Sequence, residues 1–351
     1  MSPMIRPAVF AMLVLGAGVA AAQAPDPFDI RACKAIEGDS QRLACYDRAT
    51  HRDEMPAEPA ADGATAATAM FGHEPVAATP GRSLLDSRWE LSQDSKLGTF
   101  NLRGYQPIYI MPLFATSDRN ETPHSPNPSN TVTESEPLDR VEAKFQLSFK
   151  TKVWQGVFGD AGDVWATYTQ SSRWQLYNSE ISRPFRETDY EPEVMLVFDT
   201  HYDALGWDGR LLGIGVNHQS NGRSDPLSRS WNRVIANVGF ERDGWSVMLR
   251  PWWRISESSR SDNNPDIEDY MGRGELQVLR VTDANEFGLL LRHSLRGGDD
   301  SHGSARFTWS FPVAGNLRGY LEAFTGYGES LIDYNHRATY LGVGVSLLDW
   351  Y

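Results

Sequence analysis

The stretch "EAKFQLSFK", residues 142–150, decides what kind of fold this chain adopts. Phe145, Leu147 and Phe149 share one parity; Lys144, Gln146, Ser148 and Lys150 share the other. A period of two is the signature of a β-strand with one apolar face. The same alternation recurs in "GWSVMLRPWWRI", where Trp245, Val247, Leu249, Trp253 and Ile255 share a parity, with Met248 and Trp252 as exceptions. In "RFTWSF", Phe307, Trp309 and Phe311 alternate with Arg306, Thr308 and Ser310. Near the end, Leu341, Val343, Val345 and Leu347 alternate with Gly342, Gly344 and Ser346. From Thr99 onward about twelve such segments can be counted, most separated by polar or Gly-rich turns. They centre near residues 107, 147, 170, 196, 213, 236, 250, 276, 290, 308, 322 and 345.

Period alone does not say which face is inside. A soluble sandwich buries the apolar face, whereas a transmembrane barrel turns it to lipid and keeps a polar interior. Four features favour the barrel: an export signal, strands of about ten residues, abundant Trp and Tyr for interfacial girdles, and an even strand count. The closing Trp350-Tyr351 is also similar to the last strand of outer-membrane barrels. The expected fold class is therefore all-β: a twelve-stranded antiparallel transmembrane β-barrel with a short N-terminal periplasmic extension.

The export signal lies in residues 1–24. Arg6 gives a positive start, an apolar run follows, and Ala22-Gln23-Ala24 offers a small-residue cleavage site before Pro25. The run is shorter than the ~20 apolar residues a spanning helix needs. Residues 25–50 read as a small, partly helical segment holding both cysteines, Cys33 and Cys45. In an exported chain these are expected to form one disulfide closing a short loop, the alternative being two free thiols. Residues 51–82, rich in Ala, Pro, Glu and Thr, read as a flexible linker. Residues 83–351 form the barrel. A net charge of −13 argues against a nucleic-acid partner, which rewards basic surfaces.

One hairpin carries an unusual polar cluster: "GVNHQSNGRSDPLSRSWNRV", residues 215–234. Leu212, Ile214 and Val216 form an apolar face, and His218 and Ser220 continue that parity. After the loop, Asn232 shares parity with Val234, Ala236 and Val238, although Trp231 and Ile235 have the opposite parity. All three polar groups are thus expected to face lipid near one end of the hairpin, where leaving them unpaired is costly. Residues two apart on a strand lie ~6–7 Å apart, and a neighbouring strand ~4.8 Å away, so side chains can bridge both gaps. Ser220 is the expected nucleophile, His218 the base and Asn232 the group that fixes the imidazole tautomer. The bland alternative is a polar hairpin end at the water boundary. Neither a G-x-S-x-G elbow nor an H-E-x-x-H motif is present.

The segment "NHQSNGRSDPLSRSWNR" resembles the active-site segment of outer-membrane phospholipase A. The resemblance extends through "YTQSSRWQLYNSEISRPFRETDYEPE" (168–193), "NNPDI" (263–267) and "TGYGESLIDYN" (325–335), and covers most of residues 100–351 but not 1–80. It implies a twelve-stranded barrel in the bacterial outer membrane with a Ser–His–Asn site on its outer face. It implies calcium dependence, activation by homodimerisation, and hydrolysis of phospholipid and lysophospholipid acyl esters at either position. By resemblance, Arg223 and Ser228 match positions that bind the catalytic calcium, Ser182 is contributed by the second subunit, and Gln170 lies at the dimer interface. A calcium ligand can be a backbone carbonyl, so an arginine position is compatible. A second, monomer-state calcium site in the family uses an Asp directly before Asn-Pro-Asp. Here that position is Asn263, with Asp262 one earlier, which puts the site in doubt or shifts it to Asp262. The rival readings are a passive porin and a structural barrel without catalysis.

Overall fold

The computed structural model describes residues 33–49 and 83–350, apart from 283 and 316. The expected signal (1–24) and linker (51–82) lie outside the described residues. The chain divides into two compact units, residues 1–62 and 63–351. In the first, helix α1 spans Asp39–Ala49, and Cys33 and Cys45 are joined by a disulfide.

The second unit is a closed antiparallel barrel. Its first strand is interrupted: β1 (Leu102–Gly104) and β2 (Ile108–Thr116) both pair with β3 (Val141–Trp154). The wall continues through β4 (Asp163–Trp174), β5 (Phe185–Ala204), β6 (Trp207–Ser220), β7 (Ser230–Arg242) and β8 (Trp245–Ile255). It is completed by β9 (Gly274–Val281), β10 (Glu286–His293), β11 (Gly303–Ala314), β12 (Leu317–Tyr327) and β13 (Arg337–Leu348). From β2 onward each strand pairs with the next, and β13 pairs back onto β2, so that twelve strands, with β1 and β2 counted as one, close the barrel. At this seam the backbones come close. A Cβ on Gly344 would sit 2.0 Å from the Ile110 carbonyl oxygen, which only glycine avoids. Every strand centre read from the sequence lies inside a strand except the first, residue 107, which falls in the interruption before β2.

The choice between sandwich and barrel is settled by which parity is buried. On β3, Lys144, Gln146, Ser148, Lys150 and Lys152 are buried, while Leu147 is 41% exposed. The same inversion holds on β6, where Leu212, Ile214 and Val216 are exposed, and on β13, where Leu341, Val343 and Leu347 are exposed. An apolar outside and a polar inside are what a hydrocarbon solvent demands.

The lumen is filled. Lys144 Nζ donates to Glu322 and Glu329, each at 2.7 Å. Arg173 binds Glu329 and Asp189, and Arg250 binds Glu193 and Glu275. Several of these pairs join strands that are not neighbours in the wall, so they span the interior. A cavity of about 90 Å³ remains among Arg173, Glu191, Arg233, Arg250 and Arg306.

Apolar clusters close both ends of the lumen. At the end bounded by short turns, helix α2 (Leu84–Trp89) enters the barrel, its N-terminus capped by Ser83. Leu85 and Trp89 pack on Trp165, Met195, Leu211 and Met248, and Lys150 Nζ sits 3.5 Å over the Trp89 ring. At the opposite, long-loop end, Trp231, Ile235 and Trp252 pack with Leu331, Tyr334 and helix α3 (Ile267–Met271). This accounts for the parity exceptions. Met248, Trp252, Trp231 and Ile235 are apolar residues facing inward, where they seal the lumen. In outer-membrane barrels short turns face the periplasm and long loops face outward, so the hairpin end at 220–230 is on the external side.

Candidate active site

β6 and β7 pair with His218 directly opposite Asn232 and Ser220 opposite Ser230. His218, Ser220 and Asn232 are half-buried and continue the parity of the exposed Leu212, Ile214 and Val216. The register is pinned from behind. The inward neighbours Asn217 and Arg233 bond each other, and both bond Glu191. Trp231 donates to Gln219 at 2.9 Å, and the Arg233 guanidinium lies 4.0 Å over the Trp231 ring. A slip of one residue would send each of these side chains to the wrong face.

His218 Nδ1 and Asn232 Oδ1 are 2.8 Å apart. An amide oxygen only accepts, so Nδ1 carries the ring proton and Nε2 is left as the basic nitrogen. Ser220 lies two residues along the same face. Among the described residues no hydrogen bond joins its hydroxyl to the imidazole; such contacts often tighten only when substrate is bound. Asn232 Nδ2 in turn donates to Glu257 Oε1 at 3.1 Å.

The loop after Ser220 is held rigidly. Asn221 donates to Glu187 and to the Leu227 carbonyl, and accepts from the Arg229 N–H at 3.0 Å. Arg229 is fully buried and donates to the carbonyls of Pro226, Ser228, His124 and Asn130. Gly222 adopts φ +62°, and a Cβ there would also press on the Tyr190 ring at 3.0 Å.

The candidate calcium residues fall into two groups. Arg223 and Ser228 lie on this loop, and Ser182 is exposed on the loop between β4 and β5. A carbonyl and two hydroxyls are oxygen ligands of the kind calcium takes, and among the described residues Ser228 Oγ accepts one hydrogen bond, from Asn263 Nδ2 at 2.7 Å. These fit a calcium whose coordination other groups complete. No hydrogen bond links Ser182 to Arg223 or Ser228 among the described residues. Asp262 and Asn263 are partly engaged: Asp262 Oδ1 accepts from Arg254 at 2.7 Å and from the Asn264 N–H, and Asn263 Nδ2 donates to Ser228 Oγ. Among the described residues no group of three His, Cys, Asp or Glu is arranged to hold a metal. Gln170 faces outward on β4 and accepts from the Tyr168 hydroxyl at 3.1 Å.

Several roles were not legible beforehand. "TGYGESLIDYN" supplies a loop that locks the lumen: Glu329 holds Lys144 and Arg173, Asp333 holds Arg186, and the N–H groups of Leu331 and Ile332 donate to Asp189 and Glu187. Burial alone would raise the Asp333 carboxyl, but Arg186 and the Ser330 hydroxyl outweigh it and hold the group below the usual carboxylate range. Glu257 was also missed. It lies two residues beyond Ile255 on the same outward parity, but only the β7–β8 register, Asn232 opposite Ile255, brings it to the site.

A closed barrel that is apolar outside and packed inside defines an integral outer-membrane protein, and a His–Asn pair beside a serine on its outer wall sets it apart from a pore. The chain belongs to the phospholipase A1 family, whose model matches residues 85–347. It is 36% identical to a putative phospholipase A1 of Neisseria meningitidis serogroup B across 90% of each chain. It is 44% identical to phospholipase A1 of Escherichia coli K12 over 59% of this chain and 70% of that one. Outer membrane phospholipase A from Escherichia coli superposes with a TM-score of 0.64 at 38% identity, covering 71% of this chain and 95% of that one. The Salmonella typhi outer membrane phospholipase, crystallised as a dimer with bound calcium, gives the same TM-score and identity over 74% and 96%. The protein is therefore a multi-pass protein of the bacterial outer membrane.

Proposed function

We propose that this chain is a calcium-dependent phospholipase that hydrolyses acyl esters of phospholipids and lysophospholipids, at both the A1 and A2 positions, from the outer wall of its barrel. The observation that carries this reading is the 2.8 Å His218–Asn232 contact two residues from Ser220, on a lipid-facing surface. The ester is already dissolved in the membrane, so a site on the wall meets it without extraction. Ser220 Oγ attacks the ester carbonyl carbon while His218 Nε2 takes its proton. Collapse of the tetrahedral intermediate breaks the bond to the glycerol oxygen, which leaves with the proton from His218. Water, deprotonated by His218, then attacks the acyl-serine; the bond to Ser220 Oγ breaks, the fatty acid leaves, and His218 returns the proton to Oγ. Asn232 keeps the imidazole in the Nδ1–H tautomer; being neutral, it orients the ring more than it stabilises its cation.

Calcium bound by the Arg223 carbonyl and the Ser228 hydroxyl, with Ser182 from a second copy, would polarise the ester carbonyl and offset the oxyanion charge. The Salmonella relative, a dimer with bound calcium, supports this assignment. A homodimer would also wall an acyl-chain groove between two apolar surfaces. A passive porin needs an open lumen, and the cross-strand ion pairs and two apolar end clusters weigh against one.

The test is labelling of detergent-solubilised protein with a sulfonyl fluoride, mapped by peptide mass, beside turnover of phosphatidylcholine with and without chelator. Modification of Ser220 with loss of calcium-dependent turnover is expected. A label elsewhere, or full turnover by Ser220→Ala, refutes the assignment.

A further inference from the structure

The reaction proposed above requires Asn232 to present Oδ1, and not Nδ2, to the imidazole. The two ends of a carboxamide have nearly the same shape, so sterics do not choose between them. The reversed amide would place an N–H against Nδ1, make Nδ1 the acceptor and leave the ring proton on Nε2. That nitrogen could then not take a proton from Ser220.

Asn232 lies between two strands. His218 on β6 occupies one side, and on the other the backbone of β8 ends at Ile255. Glu257 reaches back from just beyond that strand end, with Oε1 3.1 Å from Asn232 Nδ2. A carboxylate can only accept. Only one amide orientation therefore satisfies both neighbours, with N–H toward Glu257 and oxygen toward His218. We propose that Glu257 is a positioning residue: by holding Asn232 Nδ2, it selects the amide orientation that sets the Nδ1–H tautomer of His218 and frees Nε2 for Ser220. This rests on the Ser220–His218–Asn232 reading. Glu257 is not required to shape its own loop, which is tied down by Arg254 on Asp262, Asn127 on the Asp262 carbonyl and Asn263 on Ser228.

A double-mutant cycle with Asn232→Asp tests the idea, because a carboxylate at 232 has no wrong end. Turnover of phosphatidylcholine in mixed micelles with calcium would be measured for Glu257→Ala, Glu257→Gln and both backgrounds. Glu257→Ala is expected to lower kcat roughly tenfold, the scale of lost orienting contacts, with KM little changed. Glu257→Gln, whose amide oxygen can still accept, is expected to recover most of that loss. In the Asn232→Asp background Glu257 has no N–H to hold and faces a second carboxylate, so Glu257→Ala should cost nothing or raise turnover. Nitrogen-15 NMR of the His218 ring, assigned by its loss in His218→Asn, should report one tautomer in the unmutated protein and a mixture in Glu257→Ala. Equal losses in both backgrounds, or an unchanged ring spectrum in Glu257→Ala, would overturn the proposal. The ring spectrum does not depend on turnover, so it judges Glu257 separately from any failure of Ser220 as nucleophile.

Discussion

Removing the Asn232 side chain separates orientation from charge in this site. Asn232→Ala deletes one neutral hydrogen bond to His218 Nδ1, 2.8 Å long, and leaves Glu257 to water. A neutral hydrogen bond contributes about 0.5–1.5 kcal/mol net. At about 1.4 kcal/mol per factor of ten, its loss from the transition state costs roughly two- to thirteenfold in rate. Replacing a buried carboxylate in the same role by an amide costs about ten-thousandfold, because it imposes the wrong imidazole tautomer. Asn232→Ala removes the contact without imposing the wrong tautomer, so the smaller range applies. The assay is initial-rate hydrolysis of phosphatidylcholine in mixed micelles with calcium. Asn232→Ala is expected to keep about a tenth of kcat, while Ser220→Ala falls by at least a thousandfold. Heat-modifiable migration on gels would verify that each variant is folded. A thousandfold loss in folded Asn232→Ala would mean that the residue does more than orient the ring. A loss under twofold would mean that the contact is not used in the reaction at all.

Three further outcomes follow from the lumen and the loops. Arg173→Ala would leave Glu329 and Asp189 buried without their shared guanidinium; about 3–5 kcal/mol should be lost in urea unfolding of the reconstituted barrel, and a loss under about 1 kcal/mol would show the network to be slack. The Asp333 carboxyl, held low by Arg186 and Ser330, binds fewer protons in the folded state than in the unfolded one between its lowered value and the ordinary one near ~4. Its stabilisation is therefore present above about pH 4 and lost as pH falls through the lowered value, so Asp333→Asn should flatten that part of the acid-stability curve. Finally, Asp262 Oδ1 is engaged by Arg254 and the Asn264 N–H, so Asp262→Ala is expected to leave calcium affinity unchanged in monomer and dimer alike, measured by titration with the metal alone; a weakened monomer would place the second site at Asp262.

The alternation of Phe145, Leu147 and Phe149 with lysines was enough to predict a strand, and the export signal, strand length, aromatic content and even strand count together turned its apolar face outward. Strand centres beyond the interrupted first strand were legible because a period of two survives along most of each wall segment. Register was not, since it depends on contacts between segments distant in sequence. His218 and Asn232 could be assigned to one face, but Glu257 could not be set beside them without the pairing of Asn232 with Ile255. Trp231, Ile235, Met248 and Trp252 broke the parity rule because apolar packing closes both lumen ends, a tertiary demand that overrides the wall pattern. The family motifs outside the hairpin carried no visible chemistry. Glu329, Asp333, Arg186 and Asp189 have meaning only as partners across the interior.

Those interior partners connect the two faces of the wall. A β-hairpin whose outer surface meets lipid gets little help from that side in choosing its register, since hydrocarbon offers no directional contacts. The choice must be enforced from within. Asn217, Gln219, Trp231 and Arg233 alternate with His218, Ser220 and Asn232 along β6 and β7, and they bond one another and Glu191 on the lumen side. A slip that moved His218 away from Asn232 would also carry a buried guanidinium toward the lipid face, at a cost that rises from about 0–1 kcal/mol near the interface to about 2–4 kcal/mol at the midplane. The packed lumen therefore does more than block permeation. It adds side-chain energy to the β6–β7 ladder and helps keep a base and its orienting amide opposite each other on a surface where lipid offers no directional contact.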